Sequence, residues 1–296
     1  MAIPQGFETE ADGATSWETA ERTGAARRFA IRLPPIPREH GAWVILYAPM
    51  AFGFAVSHAF APLRWSLLIG TATCAYLARE AAALTIRRRP RPDTRFWLWI
   101  WSLLTLAGAL PLLAPNPAPL ATIGALAISL FLIHTGGMMM GRLDRSVWGE
   151  MLGVAALALT APAAFAVSTG GLSAAAWLCW IACVLFYGSS IFTVKMLVAA
   201  IRWKRHRDVS IHRKIVRDSL VYHSSLVVAL SAVMLVLGRR AALWLAVAYL
   251  PAIVRAAAAA WRLTPAPPPF KRIGILEMVY SVWFSGCMVA VANLLR

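Results

Sequence analysis

The chain has 296 residues, of which 59% are hydrophobic and only 14% charged, with a mean hydropathy of +0.64 and a net charge of +16. A water-soluble domain of this length is nearer half apolar and a quarter charged, so this composition excludes that class and points to helices crossing a bilayer. The excess positive charge, which in a soluble protein would suggest nucleic acid, is here concentrated between apolar runs, and no nucleic-acid partner is indicated.

Residues 1–35 are polar and acidic, with Glu8, Glu10, Asp12, Glu18 and Glu21, and lack the apolar core of a cleavable signal. They are expected to form a disordered cytoplasmic tail ahead of a transmembrane helical domain over 36–296. Nine apolar segments follow, at 41–61, 65–86, 96–114, 118–136, 149–168, 172–201, 216–237, 241–261 and 276–295, each near the roughly 20 residues a bilayer requires. Segments five and six are closely joined and six is long, which leaves eight spans as the alternative count. Nine spans with the N-terminus inside place 22 of the 29 Lys and Arg residues on the cytoplasmic side. That is the asymmetry that sets topology, and it puts the C-terminus outside. The basic loops Arg87-Arg88-Arg89-Pro90-Arg91 and Arg202-Trp203-Lys204-Arg205-His206-Arg207 would also attract anionic lipids.

Taken in chain order, the ionisable groups inside or beside the spans are the candidate site. Span one starts with Arg38-Glu39-His40-Gly41-Ala42-Trp43, in which Gly and Ala permit close backbone approach, Trp suits the interface and His40 titrates near neutrality. Span two carries Arg79-Glu80. Span four carries His134, a candidate for the edge of a cytoplasmic cavity. Span six carries Lys195 and ends at Arg202. Span seven carries Asp218, Ser219, Tyr222 and His223, with Ser219 and His223 on one face. Span eight carries Arg255, and span nine Glu277. A charge in hydrocarbon costs at least about 2.5–3.5 kcal/mol, so such residues turn inward and pair. Adjacent side chains diverge by about 100° on a helix. The expected partners of Glu80 are therefore Lys195 or Arg255, and of Arg79, Glu277.

Cations outnumber acids in this set, which suits an anion. Arg79, Lys195, Arg202 and Arg255, with His40, would hold the head group through forked hydrogen bonds. Glu80, His223 and Glu277 would orient the cations or move a proton, the catalytic roles in any reaction. Convergence on one cavity would make a site; separate pairs would mean structural ion pairs. The pairs Glu80 and Arg87, Lys195 and Arg202, and Arg255 and Arg262 are each seven residues apart, a weak echo of a two-half repeat. Cys74, Cys179, Cys183 and Cys287 read as small packing residues, and neither a metal nor another cofactor is indicated. No P-loop, zinc-protease or hydrolase motif occurs.

The His40-Gly41-Ala42-Trp43 string, the Tyr76-Leu77-Ala78-Arg79-Glu80 end of span two, the Lys195 to Arg202 end of span six and the Arg272-Ile273-Gly274-Ile275-Leu276-Glu277 start of span nine resemble the YwiC-like bacterial membrane proteins over about residues 36–296. The resemblance implies a multi-pass protein of the bacterial inner membrane and carries no reaction with it. The nine-helix plan is also similar, in architecture alone, to the UbiA-type prenyltransferases. Their paired aspartate motifs hold Mg²⁺ at the ends of spans two and six; here those places carry Arg79, Glu80 and Arg87, and Lys195 and Arg202. The function expected is binding of an anionic amphiphile in a cytoplasm-facing cavity, with a divergent transferase as its extension. Transport of a small anion, or a structural or assembly role, are the alternatives.

Overall fold

The computed structural model describes residues 34, 40–86, 94–141, 146–206, 209–261 and 270–295. Apart from Pro34, the expected tail lies outside the described residues, as do Arg87, Arg207 and Arg262. The described chain is all helix, with no strand: α1 His40–Ser57, α2 Pro62–Ile86, α3 Thr94–Leu113, α4 Pro117–Met139, α5 Val147–Ala158, α6 Thr160–Thr169, α7 Ala174–His206, α8 Val209–Val236, α9 Arg239–Trp261 and α10 Phe270–Leu294. Without water in a bilayer, backbone groups must be satisfied inside the segment, and apolar helices do this. Among the described residues, eight spans, counting Val147–Thr169 as one, are long and apolar enough to cross a membrane; α1, at 18 residues, is a shorter ninth apolar helix. The molecule is a polytopic transmembrane helical bundle.

Two departures from the sequence reading have local causes. Span five is broken at Leu159, whose N–H reaches back three residues, to Ala156 O at 3.3 Å. Pro162 has no N–H for the carbonyl four residues before it, at Ala158, and its ring crowds that turn. Thr160 stabilises the break by reaching both Leu46 O and Leu157 O at 2.9 Å, and so ties it to α1. The loop expected after residue 201 is helical instead: α7 runs for 33 residues, and α8 starts at Val209. At 1.5 Å per residue α7 is about 50 Å long, well beyond a hydrocarbon core of about 30 Å. Arginine and lysine are good helix formers, so a basic stretch need not end a helix.

The helix α1 and the broken pair α5/α6 form the centre, with α2–α4 on one side and α7–α10 on the other. The approach of α1 to α6 is close because Gly53 has no side chain: a Cβ there would lie 2.1 Å from Ala161 O. The core on the α7–α10 side is aromatic, with Phe186 stacked on Phe284 at 4.2 Å and Tyr187, Tyr249 and Phe52 around them. Cys179, Cys183 and Cys287 are buried there, as packing residues. The core on the α2–α4 side uses smaller and aliphatic residues, among them Met50, Leu68, Ile123 and Ala163. Leu103, Leu110, Leu132, Val228, Leu235 and Val282 point outward, as a lipid-facing surface requires. His58 takes a left-handed backbone (φ 52°) in the turn after α1, a conformation that His tolerates better than most residues.

Candidate functional site

The candidate residues do not meet at one point: the ion pairs among the described residues are Arg255–Glu277, Lys195–Glu150, Arg79–Glu80 and the exposed Arg217–Asp218, the separate arrangement expected of structural pairs. The most buried pair joins α9 to α10. Arg255 Nη1 donates to Glu277 Oε2 at 2.5 Å, with side chains only 8% and 16% exposed. Ser190 of α7 donates to the same carboxylate oxygen at 2.7 Å. Arg255 Nη2 reaches Phe186 O at 3.4 Å, and the guanidinium lies 5.4 Å from the Phe186 ring centroid and 5.8 Å from that of Tyr280. Its Nε and the hydroxyl of Tyr187 are buried without hydrogen-bond partners. The pair is therefore held by three helices and aromatic faces, away from water.

One residue earlier on α7, Ser189 joins a second polar contact. His223 of α8 sets its Nε2 2.8 Å from Ser189 Oγ and its Nδ1 2.8 Å from Ser219 O. A carbonyl oxygen only accepts, so Nδ1 carries the proton, and in the neutral ring Nε2 accepts from Ser189. The expected Ser219–His223 face is thus realised. Tyr222 beside it donates to Leu185 O at 2.7 Å and stacks on Phe192. Asp218 meets the neighbouring Arg217 at 3.3 Å in an exposed position.

The other pairs differ from those expected. Arg79 Nη1 donates to Glu80 Oε1, its own neighbour on α2. Both side chains are long enough to close the angle that separates adjacent Cβ atoms. Glu80 therefore meets neither Lys195 nor Arg255, and Arg79 does not meet Glu277. Lys195 Nζ instead lies 2.8 Å from Glu150 Oε1, across α7 and α5. Glu150 was missed, as were Ser189 and Ser190. Its signal was present in the composition: Glu150 and Lys195 are the two charged residues in all of 146–201. The side chains of His40 and Arg202 lie outside the described residues, although both belong to helices, α1 and α7.

A partly open cavity of about 530 Å³ lies on the α2–α4 side, lined by α1–α6. Its wall is apolar: Leu46, Leu68, Ile123, Phe131, Leu152 and Leu157, with Ala72, Ala75, Ala82 and Ala156 making the room. Of the candidates, Arg79 and His134 line it, whereas Lys195, His223, Arg255 and Glu277 do not. The wall threonines have their hydroxyls engaged: Thr71 with Leu67 O, Thr105 with Trp101 O, and Thr160 as described. The space can thus hold an apolar body, with the guanidinium of Arg79, the imidazole of His134 and the phenol of Tyr76 as ionisable groups in its wall. Among the described residues, no group of three or more His, Cys, Asp or Glu side chains is placed to hold a metal ion.

The family model described as YwiC-like protein matches residues 36–165, the part of the chain that builds α1 to α5, most of α6 and the cavity. The chain is 28% identical over 257 residues to "Uncharacterized protein YwiC" of Bacillus subtilis (strain 168), an alignment covering 86% of this chain and 96% of that protein. No solved structure matches. The resemblance to the YwiC-like membrane proteins, carried in the sequence by His40-Gly41-Ala42-Trp43 and the ends of the charged spans, thus holds across residues 36–165 by the family model and along most of the chain by the Bacillus relative.

Proposed function

We propose that this membrane protein binds an amphiphile, its apolar part in the α1–α6 cavity and its anionic head group at Arg79. The observation that carries the reading is the combination of about 530 Å³ of apolar space with a guanidinium in its wall. That volume is within the range of small-molecule sites, and the guanidinium fork suits a carboxylate or phosphate. Among the candidate cations, Lys195 and Arg255 are engaged by Glu150 and Glu277, which supports a structural role for those two pairs. Arg79, itself paired with Glu80, is the candidate cation that also lines the cavity, with His134 beside the same space; the side chain of Arg202 lies outside the described residues. The proposal is of binding; the UbiA-like transferase extension gains no support from these side chains. We further propose the inward N-terminus and outward C-terminus that the charge asymmetry favours, which sets Arg79 eight residues before the basic stretch beginning at Arg87, on the side of anionic lipid.

The test is the lipid retained on purification. Mass spectrometry of protein extracted in a neutral detergent should find an acidic amphiphile bound stoichiometrically, reduced several-fold in Arg79→Gln. Identical lipid profiles in wild type and Arg79→Gln would overturn the reading.

A further inference from the structure

Resting on that reading, we infer that the ligand carries a single hydrocarbon chain and that Gly153 keeps the space for it. A methylene group fills about the same volume as a water molecule in the liquid, roughly 30 Å³. The cavity of about 530 Å³ therefore takes roughly 18 such groups, one long chain. A phospholipid of the surrounding bilayer brings two chains, and the second would have to lie outside this space, through the side on which the cavity is open. The wall discriminates further: its hydroxyls, on Thr71, Tyr76, Ser102, Thr105 and Thr160, are few beside its alkyl and aromatic side chains, and three of them already donate to backbone carbonyls, so it offers a hydroxyl-rich body such as a sugar little to bind. The chemistry selected is one apolar tail with one acidic head: a fatty acid, a lysophosphatidic acid or another single-chain phosphate.

Gly153 is on α5 and in the cavity wall. A Cβ built there meets nothing within 4 Å, whereas at Gly53 and Gly188 it would strike neighbouring atoms. Gly153 is therefore not a close-packing glycine. A larger side chain at this position enters the cavity without first colliding with a helix, and replacing glycine inside a helix favours the helix itself. It is a position where the space can be filled while the bundle stays folded.

The full-length protein in nanodiscs of zwitterionic lipid, loaded with a fluorescent fatty acid, is titrated with oleoyl lysophosphatidic acid, dioleoyl phosphatidic acid or monooleoylglycerol at matched mole fractions. The single-chain acid should displace the probe at least tenfold more effectively than either the two-chain acid or the neutral single-chain glyceride. Gly153→Leu and Gly153→Phe should each weaken probe binding at least tenfold, and Gly153→Ala by less than threefold, with thermal unfolding reporting that each variant is folded. Equal displacement by the one- and two-chain acids, with binding still lost in folded Gly153→Leu, would overturn the single-chain inference and leave the cavity reading standing. Saturable binding untouched by both Gly153→Leu and Arg79→Gln, or no saturable binding, would overturn both.

Discussion

If the Arg255–Glu277 pair is structural, removing one member should be far worse than removing both. The two side chains are 8% and 16% exposed, and the carboxylate is also bound by Ser190. Glu277→Leu leaves a guanidinium buried against Phe186 and Tyr280 with no counter-charge. Breaking one side of a buried pair costs about 3–5 kcal/mol, whereas replacing both by apolar groups of similar volume is often neutral or stabilising. The orphaned Arg255 Nε is already desolvated without a partner, so removal of the whole side chain recovers part of that cost. We therefore expect Glu277→Leu and Arg255→Met each to lower stability by about 3–5 kcal/mol, and the double variant to lie within about 1 kcal/mol of wild type. Ser190, left without its acceptor, accounts for a residual penalty. The assay is a double-mutant cycle in reversible unfolding of the detergent-solubilised protein. A double variant as unstable as the sum of the singles would refute the pairing argument. A stable double variant that no longer retains the amphiphile would show that the pair belongs to the ligand site, and would refute its assignment as purely structural.

Two glycines of the central helices should respond to alanine with opposite signs. Gly53→Ala, whose Cβ would fall 2.1 Å from a backbone oxygen, should cost at least the upper end of the ~1–3 kcal/mol of overpacking, while Gly153→Ala, facing open space, should raise stability by up to about 1 kcal/mol. Both are read from the unfolding midpoint in the same detergent. Lys195→Met should cost about 1 kcal/mol or less, because its partner Glu150 is 46% exposed and half-solvated pairs contribute little. A loss matching that of Glu277→Leu would contradict that ranking.

The spans were legible because hydrophobic length suffices to recognise them, and most predicted segment limits fall within a few residues of the helix ends. The pairings were legible in part. Glu277 is the only acid after Asp218 and Arg255 lies in the span before it, so their union could have been read from scarcity of partners, although the sequence reading gave Glu277 to Arg79. Glu150 and Lys195 could have been matched on the same ground. The Arg79–Glu80 contact could not, because helical geometry separates adjacent Cβ atoms and only side-chain length brings the groups together. The cavity was not legible either. Hydropathy is nearly blind to volume: Ala75, Ala82, Gly153 and Ala156 read as membrane-compatible residues, yet their small size leaves the space. The seven-residue echo shows the same limit. Glu80 and Lys195 occupy similar places in spans two and six, but one bonds its own neighbour and the other bonds α5. Equivalent spacing therefore does not produce equivalent environments.

Glu80 tests whether Arg79 serves a ligand or only its helix. Its carboxylate already occupies Arg79 Nη1, so an incoming acid must share or displace it. The side chains of the pair are 35% and 24% exposed, so solvent screens them and their mutual attraction contributes about 0.2–1 kcal/mol. Replacing the carboxylate by the isosteric amide removes that internal competitor and one negative charge from the head-group position. If Arg79 holds the head group, Glu80→Gln should tighten binding of a fatty acid by about two- to fivefold, the factor to which up to about 1 kcal/mol corresponds. It should leave neutral monooleoylglycerol unchanged, and Arg79→Gln should weaken the acid alone. Displacement of the fluorescent probe in nanodiscs measures all three. Acid binding that falls in Glu80→Gln would mean that the carboxylate positions the guanidinium rather than competing for it. Acid binding indifferent to both substitutions would remove Arg79 from the site, leaving an apolar cavity that does not select charge.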